Sequence, residues 1–320
     1  MEKTNKPLAI PLMGITGTRL SKHSLREHLT NSKIQSNTLQ LMYNKFHPDG
    51  IFTFMDLTVE AEALGLKIIF PEHDTPSVSE HPVKNGTALN NLKAGYNGIN
   101  SRMNVFVDVV RELSSELDTT IGAYVIGPFS LAGEMNGVND LLVNTLMDPE
   151  FVLDMIEFSV QVISDYANSL FEAGADTVCV LEPTSVMLSD KLYEQFSLQP
   201  FKKIAHNVNH QPLILHICGD TTHLIDKMCL SGASALSLDS LVDFKSVAKR
   251  IPADINLIGN IDPVEHFLNG DSHSMCKHTN GLLNEMAEYP NFILSSGCDL
   301  PLNTPMENIQ AFMDTAKKIY

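Results

Sequence analysis

The sequence predicts an α/β fold, a parallel (β/α)8 TIM barrel with a lid-like excursion in its N-terminal third. Three observations carry that reading. Eight short β-rich runs alternate with longer amphipathic stretches. Polar, chemistry-bearing residues gather at the carboxyl ends of those runs, where barrel enzymes keep their sites. The one long interruption, residues 71–101, is polar and turn-rich, long enough to form a lid over the barrel mouth.

In order, the predicted strands are Leu8 to Met13, Gly50 to Phe54, Thr120 to Gly127, Thr177 to Glu182, Pro212 to Cys218, Ala233 to Asp239, Asn256 to Asn260 and Phe292 to Ser296. Between them the apolar spacing predicts helices over Phe151 to Ala173, Ser189 to Val208, Asp243 to Arg250 and Pro305 to Ile319. The last opens on Thr304-Pro305-Met306-Glu307, which offers a Thr cap, Pro at the first helical position and an early acid. Pattern alone also admits an open doubly wound sheet with one extra strand. No Gly/Ser linker, charge block or internal repeat divides the chain, so residues 1–320 read as one domain.

Hydrophobic content of 43% with 19% charged residues suits a well-buried chain and argues against extended disorder. A formal net charge of −16 repels a phosphate backbone, and no Lys/Arg cluster offsets it, so nucleic acid is excluded as a partner. No apolar stretch is long enough to span a bilayer, and Met1 to Pro7 lacks a signal core, which points to the cytoplasm. Five thinly spread cysteines fit a reducing compartment and leave their thiols free as ligands.

His216-Ile217-Cys218 closes one apolar run, and Gly297-Cys298-Asp299 follows another. Residues two apart on a strand share a face, so His216 and Cys218 can address one ion, to which the second run delivers Cys298. One nitrogen and two sulfurs with a fourth position open is the pattern of a catalytic zinc. Each residue also has a plain reading. Cys218 and Cys298 could be small buried hydrophobes, and Cys179, Cys229 and Cys276 are read that way or as incidental. Cys276 lies between His273 and His278, but Asp271 to Cys276 reads as a solvated helix start. Glu182 and Asp239 end their strands as site candidates or as helix caps. Asn260 and Asp262 shape the turn before Pro263, with Asn260 kept as a substrate contact. Arg19 is the candidate cation for an acidic group on the substrate.

Leu215-His216-Ile217-Cys218-Gly219-Asp220, Ile258-Gly259-Asn260-Ile261-Asp262-Pro263-Val264-Glu265 and Gly297-Cys298-Asp299-Leu300-Pro301 resemble the uroporphyrinogen decarboxylase superfamily. With Met55 to Gly65, they are similar to its methylcobamide:coenzyme M methyltransferase branch. The decarboxylase branch holds its substrate with an N-terminal arginine-rich loop, where this chain offers only Arg19 and Arg26. The resemblance implies a zinc-dependent methyltransferase with Zn2+ on His216, Cys218 and Cys298, and Asp239 filling the open position until substrate arrives. It implies methylcobamide as co-substrate, a corrinoid carrier protein as partner and a small thiol such as coenzyme M as acceptor. No Asp-x-His-x-x-Gly corrinoid motif occurs in the chain itself. Alternatives are a metal-free porphyrinogen decarboxylase-like enzyme, a corrinoid methyltransferase using tetrahydrofolate, and a non-catalytic binder. Homo-oligomer formation is left open.

Overall fold

The structure, a computed structural model, describes residues 6–72 and 74–318. Its strands are β1 Gly50–Phe52, β2 Ile68–Ile69, β3 Ser77–Val78, β4 Thr120–Ile126, β5 Thr177–Leu181, β6 Leu213–Ile217, β7 Ala235–Leu238, β8 Asn256–Ile261 and β9 Phe292–Ser296. Seven of them form one parallel sheet in the order β1-β4-β5-β6-β7-β8-β9. Neighbours in that sheet follow each other in sequence, as right-handed βα units dictate.

Alternation along the strands sorts the side chains into two cores. Leu213, Leu215, Leu236, Leu238 and Leu257 join the large core, which includes the helices. Ile10, Phe52, Tyr124, Cys179, Ile214, Ala235 and Ile258 join a smaller one on the other face. A sheet with a separate inner core is curled around it.

The predicted first strand, Leu8 to Met13, is reduced to a single bridge between Ala9 and Leu294. Ile10 N donates to Leu294 O (2.9 Å), and Leu294 N to Leu8 O (2.8 Å). The ladder stops at Pro11, which has no N–H to give. Leu12 N then turns to Ser296 Oγ (3.1 Å). On the far side Asp49 N donates to Ala9 O (3.1 Å), so this segment touches both β9 and the start of β1.

The helices depart from expectation where local chemistry intervenes. Pro149–Glu172 is one continuous helix capped by Asp148. Ser189 to Val208 breaks into Asp190–Tyr193, a π turn Glu194–Leu198 and Gln199–Asn207. Pro200 causes the break, since its ring would strike the Phe196 carbonyl in a regular helix. Asp243 to Arg250 is a short turn Phe244–Val247 followed by a 3-10 turn. The last helix spans Met306–Lys318, and Thr304 does not cap it: the buried Thr304 hydroxyl has no hydrogen-bond partner among the described residues. Ile319 lies outside the described residues.

Residues 71–101 carry more structure than an irregular loop. Strand β3 pairs antiparallel with β2, and helix Gly86–Gly95 starts at Asn85, whose side chain accepts from Ala88 N. The unit is fixed to helix Pro128–Asn136 through Val83 N on Met135 O (3.0 Å) and Asn136 Nδ2 on Val83 O (2.7 Å). Lys93 and Tyr96 reach Asp154 and Asp165 of helix Pro149–Glu172. No helix among the described residues is long and apolar enough to cross a membrane.

A buried ionic network stands after β1. The Arg102 guanidinium binds Asp56, Glu62 (2.6 Å) and the Thr58 hydroxyl (2.7 Å). Beside it Glu60 is fully buried; one oxygen accepts from Ile126 N (2.8 Å), and the other has no partner among the described residues. Burial pushes its carboxyl up from 4.5 to about 8. A carboxyl raised in this way keeps its proton in the fold. Its contribution to stability is complete below pH 4.5 and is lost as the pH rises through about 8. Glu60→Gln should therefore be on the order of a few kcal/mol more stable relative to wild type at pH 9 than at pH 5. Urea denaturation of both proteins at the two pH values checks this, and an equal difference at both would refute it.

Candidate metal centre

Strands β6 and β9 are separated in the sheet by β7 and β8. On a flat sheet, three spacings of about 4.8 Å would hold their ends about 14 Å apart. Cys218 Sγ and Cys298 Sγ, each just beyond one of those ends, are 3.3 Å apart. Only the curl of the sheet makes this approach possible.

His216 sits at the inner end of β6 and is 1% exposed. Its Nε2 is 3.1 Å from Cys218 Sγ and 3.7 Å from Cys298 Sγ. The structure thus brings together the three residues that the sequence proposed as a set. Among the described residues they are the one group of three such side chains whose ligand atoms converge on an ion-sized space.

Bond lengths test the fit to zinc. With Zn–S of about 2.3 Å and Zn–N of about 2.0–2.1 Å, tetrahedral geometry puts two sulfurs about 3.8 Å apart and nitrogen and sulfur about 3.6 Å apart. The observed 3.3, 3.1 and 3.7 Å lie within about half an ångström of those values. The donor types suit zinc as well, with thiolates and an imidazole but no hard oxygen cage. The hydrogen bond to Cys218 and burial together push the Cys298 thiol well above its ordinary value. Without an ion, Cys298 keeps its proton.

The neighbouring residues orient this set. His216 Nδ1 is 2.9 Å from Ser237 Oγ, its register partner on β7. In the tautomer that frees Nε2 to ligate, Nδ1 carries the proton and donates to Ser237, which fixes the ring plane. Sequence reasoning passed over Ser237; the signal was its place two residues before Asp239 on the inner face. Gly219 follows Cys218 with φ of 89°, a left-handed conformation that favours glycine, and turns the chain away from the site.

Asp239 lies close by but is occupied. One of its oxygens accepts from Gly219 N (2.9 Å), and the other accepts from Leu241 N (3.0 Å) and Ser240 Oγ (3.2 Å). It therefore braces the loop that carries Cys218 and is not among the converging ligand atoms. Glu182 is buried at the end of β5 and accepts from Phe129 N, Ser130 N and Ser130 Oγ at the start of helix Pro128–Asn136. Burial nonetheless raises its carboxyl to about 7. Gly127 makes room for it, because a β-carbon there would stand 2.3 Å from a Glu182 oxygen. Asn260 Nδ2 donates to Asp239 O and Val242 O, and Arg19 donates to Asn303 O and Thr304 O. Asp262 caps the turn after Pro263, as its position suggested. Asp299 was not singled out from sequence. Burial and the adjacent Cys298 hold its carboxyl well above the usual range, and one of its oxygens is buried without a partner among the described residues.

The uroporphyrinogen decarboxylase (URO-D) family model matches residues 2–319. A methylcobamide:CoM methyltransferase, MtbA of Methanosarcina acetivorans, is 31% identical over 269 residues, 82% of this chain and 77% of that protein. A uroporphyrinogen decarboxylase of Prochlorococcus marinus is 26% identical over 309 residues, 92% of this chain and 87% of that protein. Among solved structures, a methyltransferase from Methanosarcina mazei shares the fold at a TM-score of 0.89 and 20% identity, covering 98% of this chain and 94% of that one. With a curled parallel sheet, a matching family model over nearly its whole length and a relative above 30% identity, the chain belongs to the uroporphyrinogen decarboxylase family.

Proposed function

We propose that this chain is a zinc-dependent methyltransferase that moves a methyl group from a methylated corrinoid, borne by a separate carrier protein, to a small thiol such as coenzyme M. The convergence of His216, Cys218 and Cys298 carries the reading, because it supplies three donors of zinc's preferred types and leaves a position for substrate. Similarity to a protein named methylcobamide:CoM methyltransferase supports both donor and acceptor. The similarity to decarboxylases supports a second, metal-free reading, which the thiol pair and the sparse N-terminal arginines disfavour. We also read the curled sheet, joined at its edges by the segment around Ala9, as a closed (β/α)8 barrel forming one domain.

Zinc, when bound, would hold an incoming thiol as its nucleophilic thiolate at neutral pH. The chain's own residues do the rest. Ser237 fixes the His216 ring, and Asp239 fixes Gly219 and with it the direction of Cys218. Cys218 and Cys298 would ligate as thiolates, each giving up its proton. Glu182, Asn260 and Arg19 act as positioning residues, since their polar atoms hold neighbouring loops. Alignment of this kind is worth several kcal/mol in well-oriented sites.

Methyl transfer from methylcobalamin to coenzyme M, followed by the absorbance of the reduced corrinoid, tests the function. Wild type should turn over only with zinc present, and Cys298→Ala should lower kcat/KM by at least about 100-fold. Full activity in that variant, or turnover with tetrahydrofolate alone, would overturn the proposal. Asp239→Asn separates bracing from ligation. It should cost about 1–2 kcal/mol of stability through the lost acceptor, lower zinc affinity by no more than about 100-fold in a chelator competition, and leave the zinc-edge absorption spectrum unchanged. Loss of an oxygen from the zinc shell of the variant would make Asp239 a ligand.

A further inference from the structure

Barrel interiors are normally packed with layers of branched side chains. This one is not filled at its amino-terminal end, where a cavity of about 180 Å³ lies inside the curl. Small side chains leave the space: Cys179, Ala235 and Ser237 face it where larger residues would meet. Exposure records the gap. Ile10, Phe52, Ile214 and Ile258 each keep 7% of their surface, whereas Leu213, Leu215 and Leu257, which alternate with Ile214 and Ile258 on their strands, keep 1%.

The lining has a direction. At the outer rim stand Thr120, Thr177, Ser234 and Asn256, near the first residues of their strands, and among the described residues no charged side chain lines the space. An ionic guest would lose its hydration without a partner. At the inner end lies Ser237, whose Oγ is shared with His216 Nδ1. If His216 Nε2 ligates, as proposed above, Nδ1–H donates to that oxygen and the Ser237 O–H is left to donate elsewhere.

We propose that this cavity is a binding site for a small neutral molecule with an apolar body and one hydrogen-bond acceptor, of the size of a phenol or a short aryl ether. It is distinct from the place where the methyl acceptor reacts, which lies at the opposite, carboxyl ends of the strands. The volume fits, since a dry cavity of about 150 Å³ lined by Leu, Ile and Phe admits benzene. Binding to the apolar walls does not depend on zinc; the preference for an acceptor group rests on the metal reading.

Thermal melts of the full chain with millimolar phenol, benzene, benzoate or glycerol test the proposal. Phenol and benzene should raise Tm by an amount that grows with their concentration, and benzoate and glycerol should not. Ala235→Leu, which fills the space, should abolish the shift. Should that variant fail to fold, nuclear Overhauser contacts from benzene to the Ile214 and Ile258 methyls in wild type give the same answer. Ser237→Ala should weaken phenol by about three- to tenfold and leave benzene unchanged. Cys298→Ala should lose zinc yet still bind benzene, so failure of the metal reading is told apart from failure of this one. Absence of any shift with benzene and phenol, an undiminished shift in Ala235→Leu, or the absence of contacts to both isoleucines would overturn the proposal.

Discussion

Curvature of one parallel sheet is the constraint on which the site depends. Four consecutive strands must bend enough to bring the ends of β6 and β9 together, and a 3.3 Å separation between two sulfurs records how far they do. The residues allow it because the two faces differ in bulk. Leucines and isoleucines crowd the outer face of β6 and β7, while Ala235, Ser237 and Gly122 keep the inner arc short. At Gly122 a β-carbon would meet the Phe52 ring at 2.2 Å, so any other residue there would force that ring to move.

Electrostatics then decides what the converged donors are for. Two cysteines beside a buried imidazole gain little as a hydrogen-bonded cluster, since the pair drives the Cys298 thiol up and burial raises the Asp299 carboxyl next to it. A dication would reverse that balance, because each cysteine must lose its proton to bind while the imidazole ligates neutral. Ser237 and Asp239 act one step out, orienting the imidazole and the loop after Cys218. Such outer partners commonly matter to metal affinity nearly as much as the ligands do.

Much of this was legible in the sequence, and the reasons are physical. Parallel strands buried on both faces read as apolar runs, so seven of the eight predicted strands fall on sheet strands. His216 and Cys218 were readable as partners because a two-residue spacing fixes a shared face. Cys298 needed the barrel to join them. What was hidden depended on tertiary pairing. Leu8 to Met13 reads as a strand, but the ladder ends at Pro11. Thr304 looked like a cap, yet its hydroxyl is buried without a partner among the described residues. Asp239 was readable as a strand-end carboxylate, but its acceptance from the backbone amides of Gly219 and Leu241 was not.

The account therefore stands on one coordination sphere. X-ray absorption at the zinc edge of the protein purified without added metal tests it most directly. The account predicts one zinc per chain, with two sulfurs near about 2.3 Å and one nitrogen near about 2.0–2.1 Å. A shell of oxygen and nitrogen alone, or a protein that takes up no zinc when the metal is supplied, would contradict it.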